Sequence, residues 1–209
     1  MFELALYAAI IVTLVALVDP VGTLPFFVAL TEGFDAKDRR VVLHRAIATL
    51  GIVLTVFALV GRFVFLAFGF TLAAFEVAGG IILFLVAYDM LRGEITRTKV
   101  SPGDEDPARR SEVGIVPLGI PLLAGPGAIS TVMIYEGNAG SDPLVIVATF
   151  VAIGVATALS YVVFRYGQRI LAVVGRVGVM AMTRVLGLVL AAVGVQFVAN
   201  GIVGLFPHL

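Results

Sequence analysis

Six apolar stretches of about twenty residues or more recur along the chain, at roughly 4–31, 46–70, 72–91, 113–135, 143–164 and 184–206. Each is long enough to cross a hydrocarbon core of about 30 Å as a helix. Inside lipid no water can satisfy an open backbone, so such stretches are restricted to helices unless a closed barrel is built. Their length and continuity favour helices. Composition agrees, because 13% of the residues are charged and 60% are hydrophobic, whereas a soluble domain carries about 25% charge. The expected class is an all-α integral membrane protein of six transmembrane helices, with the lipid bilayer as its main partner.

The charges between the runs give an orientation. Lys37, Arg39, Arg40 and Arg45 fall in the first charged segment, 32–45. Arg92, Arg97, Lys99, Arg109 and Arg110 fall in the polar segment 92–112, and Arg165, Arg169, Arg176 and Arg184 in the connector 165–184. Thirteen of the 14 basic residues therefore lie on one side of an alternating six-span chain. Basic loops face the cytoplasm, so 32–45, 92–112 and 165–184 are expected there, with both termini extracytoplasmic. A plasma (inner) membrane location follows. Met1-Phe2-Glu3 has no basic region of the signal-peptide kind, so the first run reads as a retained span. In the connector, Ile170, Leu171, Val173 and Val174 alternate with arginines, which suggests a short helix at the interface. Gly69-Phe70 and the segment 137–143 read as turns.

Two of the runs are interrupted in their interior. The first carries Asp19-Pro20-Val21-Gly22-Thr23-Leu24-Pro25, the fourth Ala124-Gly125-Pro126-Gly127-Ala128-Ile129-Ser130-Thr131. Proline removes an intrahelical hydrogen bond and clashes with the preceding turn. Asp or Gly before proline also suits a helix start, as cap and first residue. Each motif is therefore expected to divide its span into two half-helices. A shift of 106 residues superposes Pro20 on Pro126 and Asp19 on Gly125, and one of 107 superposes Gly80 on Gly187. The pattern implies two three-helix repeats, 1–92 and 113–209, joined by the cytoplasmic linker 93–112. Three spans being odd, the copies are inverted, with helices 1 and 4 broken. Such repeats are characteristic of secondary transporters, whose site lies near mid-membrane between the breaks, one repeat gating against the other. Proline kinks are also common as purely structural features.

On these residues the chain resembles the MarC family. The resemblance rests on Asp19 to Phe27, on Pro117 to Thr131, on Ala78-Gly79-Gly80, on Thr183-Arg-Val-Leu-Gly187 and on Gly194 to Gly201. It implies six spans, kinship with amino-acid exporters of the LysE type and, for some members, transport of neutral amino acids such as alanine and glycine.

The expected substrate site comprises Asp19, Pro20, Gly22, Thr23, Gly125, Pro126, Gly127, Ser130 and Thr131. New helix N-termini attract a carboxylate. Asp19 and opened carbonyls can hold an ammonium group or a coupling ion, H+ or Na+, and a small zwitterion satisfies both ends. Asp19 is equally explained as a helix cap. Gln196 and Asn200 stand one turn apart in the sixth span, where they either bond between helices or line the pathway. Gly187, Ala191 and Gly194 form a small-residue stripe for close helix contact. Arg62 either snorkels to the interface or meets substrate. His44 and His208 lack partners at ligand spacing, so no metal is expected, nor any other cofactor. Net charge is zero, which implies no nucleic-acid partner. Tyr88-Asp89 lacks the second aspartate of an intramembrane protease, and Gly125-Pro-Gly127 lacks the lysine of a P-loop. An enzyme is not expected. A small-drug exporter or a non-transporting scaffold or sensor are the alternatives, and homo-oligomerisation is left open.

Overall fold

A computed structural model of the chain describes residues 2–31, 33–92, 112–139, 142–171 and 175–206, and every structural statement below concerns these. They form α1 (Phe2–Val18), α2 (Pro20–Leu30), α3 (Ala36–Phe68) and α4 (Leu72–Arg92). A second set again places two shorter helices before two longer ones: α5 (Gly114–Leu123), α6 (Pro126–Ala139), α7 (Pro143–Leu171) and α8 (Gly175–Leu205). α1 and α2 run on as one apolar span, Leu6–Leu30, while α5 and α6 form a bent pair at 61°. With α3, α4, α7 and α8 this makes six spans, as expected.

The ends of the helices differ from expectation. Most of the segment 32–45 is helix rather than loop, since α3 begins at Ala36. Asp35 caps it by accepting a hydrogen bond from the Asp38 N–H at 2.7 Å, and Lys37, Arg39, Arg40 and Arg45 ride on its first turns. The expected short interfacial helix has no counterpart: α7 continues to Leu171 and α8 begins at Gly175. Charged residues have good helix propensity, so helices run past the apolar stretch that hydropathy delimits. Val173, Val174, His208 and the linker residues 93–111 lie outside the described residues. The turn after α3 forms as expected, with Gly69 left-handed at φ 69° and Thr71 Oγ1 capping α4 through the Ala74 N–H at 3.2 Å.

Two apolar interiors organise the bundle. The larger gathers α1, α2, α3, α5, α6 and α7 around Leu14, Phe27, Leu50, Leu118, Ile129 and Phe164. The smaller joins α4 and α8 to α2 through Phe26, Leu83, Ala87, Met90 and Leu190. Adjacent phenylalanines serve the two sides. Phe27 stacks on Phe164 at 4.9 Å between ring centroids, whereas Phe26 turns into the smaller cluster. Leu122 touches both clusters.

α4 and α8 form the tightest pair. A Cβ added to Gly80 would stand 2.5 Å from the Gly194 carbonyl oxygen, and one on Gly194 would stand 2.8 Å from that of Gly80. Gly187 meets Ala87, and Gly201 meets Ala73, in the same way. The helices are thus antiparallel, touching backbone to backbone at every seventh residue: Ala73, Gly80 and Ala87 against Gly201, Gly194 and Gly187. Gly201 extends the stripe, and Ala191 packs against the smaller cluster beside it. With no hydrophobic drive between helices in lipid, such close approach of small residues is what holds a pair together.

Apart from α6 against α7, the main remaining packing crosses between the halves of the chain. α1 packs on α7 and α5 on α3; α2 packs on α7 and α6 on α3; α3 also meets α7.

Candidate functional site

The first break is built by Asp19. Its backbone is left-handed, φ 41° and ψ 66°, the one non-glycine residue with positive φ among those described. Aspartate tolerates this conformation because its short side chain can bond locally. Here Oδ1 accepts the Gly22 N–H at 3.0 Å, and the Asp19 carbonyl accepts both the Thr23 N–H at 3.0 Å and the Thr23 hydroxyl at 2.8 Å. Pro20, at the first helical position, gives up an N–H that no acceptor would have met. The carboxylate is therefore the cap of α2, and Oδ2 has no hydrogen-bond partner among the described residues.

The second break is longer than the Gly-Pro-Gly motif suggested. In α5 the Leu118 N–H reaches back five residues to the Val113 carbonyl at 3.3 Å, and the Ala124 N–H to that of Gly119 at 2.9 Å. Val116 (φ −129°, ψ 123°) and Ile120 (φ −133°, ψ 127°) are extended, each preceding a proline, which disfavours helical geometry in the residue before it. The Val116-Pro117 and Ile120-Pro121 peptide bonds are cis. The tetrapeptides Val116-Pro-Leu-Gly and Ile120-Pro-Leu-Leu were the available signal. α6 then starts at Pro126, and its first intrahelical bond runs from the Ile129 N–H to the Gly125 carbonyl at 3.0 Å. The N–H groups of Gly127 and Ala128 precede that bond, where a helix has no acceptor of its own. Gly125 occupies the place of Asp19 but has no side chain to cap them.

Both breaks open on one cavity of about 270 Å³. Asp19, Gly22 and Thr23 line it from the first break, Gly125, Gly127 and Ala128 from the second. The rest of the wall is apolar: Leu17, Val18 and Phe26, Pro121 and Leu122, Leu83 of α4, and Val189, Leu190, Val193 and Phe197 of α8. Asp19 is the single ionisable residue in the wall. The cavity lies where the two interiors meet, between α4 and α8 on one side and α1, α2, α5 and α6 on the other.

Of the expected site residues, Asp19, Gly22, Thr23, Gly125 and Gly127 therefore come together. Pro20 is buried and shapes α2 from outside the wall. Pro126 sits against Gly79 of α4. Ser130 is buried with its hydroxyl donated to the Gly127 carbonyl at 2.9 Å, and Thr131 is not in the wall either. Gln196 and Asn200 are exposed outside it, joined by a hydrogen bond from Gln196 Nε2 to Asn200 Oδ1 at 2.7 Å. Arg62 is exposed on α3. Sequence reasoning missed the contribution of α4 and α8, whose one signal was the seven-residue glycine spacing that brings them together.

Fold and cavity define a multi-pass α-helical integral membrane protein with a small cavity at two interrupted spans. The chain belongs to the MarC family, matching the MarC family integral membrane protein description over residues 4–206. It is 38% identical to a UPF0056 membrane protein of Pyrococcus abyssi, with 96% of each chain covered. It is 32% identical to the UPF0056 membrane protein YhcE of Escherichia coli, covering 100% of this chain and 97% of that one. YvbG of Bacillus subtilis is also 32% identical, with 96% and 95% covered. No solved structure matches.

Proposed function

We propose that the protein is a secondary transporter of small neutral amino acids, alanine- or glycine-like, or of related metabolites. The observation that carries this is the meeting of two helix interruptions, 106 residues apart in sequence, on one cavity with a single carboxylate. Asp19 Oδ2 receives the substrate ammonium, and the Gly127 and Ala128 N–H groups receive its carboxylate. A volume of about 270 Å³ lies just under the roughly 300–1,000 Å³ of drug-sized pockets, which favours a small metabolite over a drug.

Inverted repeats are part of the proposal. They are supported by the recurring element order and by the reciprocal pairing, in which α1 is to α7 as α5 is to α3, and α2 is to α7 as α6 is to α3. Gating by one repeat against the other has no such support, because the repeats interlock. The division that fits the packing separates the α4–α8 pair from the remaining elements, with the cavity on the dividing line. The basic residues on α3, at the end of α4, in the last turns of α7 and in the first turns of α8 orient the chain in the inner membrane with both termini extracytoplasmic. Transport is coupled to protons or sodium.

Purified protein in liposomes, assayed with labelled alanine and glycine under imposed proton and sodium gradients, tests the proposal. Gradient-dependent flux that Asp19→Asn abolishes supports it. An absence of flux under every gradient, together with no saturable binding of either amino acid, rejects transport of this class and leaves a scaffold or sensor.

A further inference from the structure

We infer that a second copy of this chain packs against the α8 face bearing Gln196 and Asn200, and so closes the side of the cavity. α8 is less covered than α3, α4, α7 or the α1–α2 span, with 17% of its apolar window buried against 28–39% for theirs. Val189, Val193, Gln196 and Asn200 follow at intervals of four, three and four residues, which places them on one stripe. Val189 and Val193 line the cavity, yet they are 52% and 39% exposed. Leu17 and Asp19 on the opposite lip are exposed too. The cavity therefore opens sideways between α8 and the α1–α2 break, which leaves a carboxylate at bilayer depth facing lipid.

Lipid is a poor cover for this opening. Gln196 stands nine residues from each end of the Gly187–Leu205 span, about 13 Å of helix from either end. Its bond to Asn200 uses one donor and one acceptor. The two amides keep three N–H donors and further acceptor lone pairs, none of which an acyl chain can meet. A copy in the same membrane orientation, related by a two-fold axis along the membrane normal, brings its own Gln196 and Asn200 to the same depth. Donors and acceptors are then self-complementary, as a two-fold interface requires, and the copy's α8 walls off Asp19. A drive of this kind is the one that joins helices in lipid.

The chain contains no cysteine, so single cysteines report without background. In native membranes under mild oxidation, Gln196→Cys and Asn200→Cys are expected to give covalent dimers. Val195→Cys, 55% exposed but about 100° round the helix from Gln196, is expected to give none. In bilayers, single-molecule photobleaching of the wild type is expected to count two copies. Gln196→Leu with Asn200→Leu should weaken the dimer roughly ten- to a hundredfold while thermal unfolding in detergent stays unchanged. Neither readout depends on transport. A wild type that is monomeric in bilayers, with or without lipid bound in the opening, overturns the inference. So does cross-linking through Val195 but not Asn200, or a double-leucine variant that dimerises as strongly as the wild type.

Discussion

Gly80→Ala and Gly154→Ala are the same chemical change with opposite expected outcomes. At Gly80 the new methyl would stand 2.5 Å from the Gly194 carbonyl oxygen and 2.8 Å from the Val198 nitrogen, where ordinary contact begins at 3.4 Å. Both obstacles are backbone, so neither can rotate away. α4 and α8 must part by close to 1 Å, and a gap of 0.5–1 Å already forfeits about a quarter to a half of each dispersion contact along the seam. Overpacking of this kind costs about 1–3 kcal/mol, against which alanine's better helix propensity returns roughly 0.5–1 kcal/mol. At Gly154 nothing lies within 4 Å of the added methyl, so only the propensity gain remains. For a chain of this size, each kcal/mol moves Tm by about 2–4 °C. Thermal unfolding in one detergent should place Gly80→Ala several degrees below the wild type and Gly154→Ala one to a few degrees above, by the same estimate. If Gly80→Ala is stabilised as much as Gly154→Ala, the backbone-to-backbone contact of α4 and α8 is refuted.

Other substitutions probe the site and its surroundings. Gly22→Ala drives a methyl into the Asp19 carboxylate, 2.8 Å from its Cγ. Loss of the cap should lower stability by about 1 kcal/mol and remove substrate flux, read by unfolding and liposome uptake on the same preparation. Ala128→Phe fills the cavity from the first turn of α6 and should abolish saturable uptake while the protein still purifies as a folded species. Thr157 Oγ1 is buried without a hydrogen-bond partner, so Thr157→Val removes an unmet polar group at nearly constant shape. Its Tm should be unchanged or higher, and a drop of several degrees would reveal a bonded hydroxyl.

Much of the fold was legible because lipid imposes a strong pattern. Six apolar runs gave six spans, Asp19-Pro20 marked the first interruption to the residue, and Gly125-Pro126 marked where the second one ends. Where local rules compete, legibility fell. Lys37, Arg39 and Arg40 suggest a loop to a hydropathy scale, yet an Asp35 cap and good helix formers extend α3 over them. The second break begins at Val116, ten residues before Pro126, because two prolines four residues apart act together. The apolar half of the cavity was not legible. Phe26, Leu83 and Val193 look like any lipid-facing residue in sequence, and only the α4–α8 contact turns them toward one space. Ser130 lies outside the wall for a different reason: a hydroxyl in a helix readily bonds the carbonyl a turn back, as Ser130 does with Gly127.

The electrostatics of the cavity bear on coupling. Asp19 is the one ionisable residue in the wall, so with its carboxylate ionised the empty site carries a charge of −1 at bilayer depth, where isolated charge is expensive. A bound zwitterion adds nothing to that sum. One accompanying cation, H+ on the carboxylate or Na+ beside it, brings the loaded site to neutrality. A monovalent organic amine would neutralise Asp19 alone and would instead compete with the ion. The same carboxylate also caps α2 through Gly22, so whatever engages Oδ2 acts on a helix start as well as on a ligand. In the proposed transporter, ion and zwitterion are thereby linked through one side chain, and exchange of an amine for an ion is the distinguishable alternative. The charge moved per substrate, measured as the reversal potential of uptake in liposomes, separates them: about one positive charge accompanies each zwitterion in the first scheme, and none is carried net in the second.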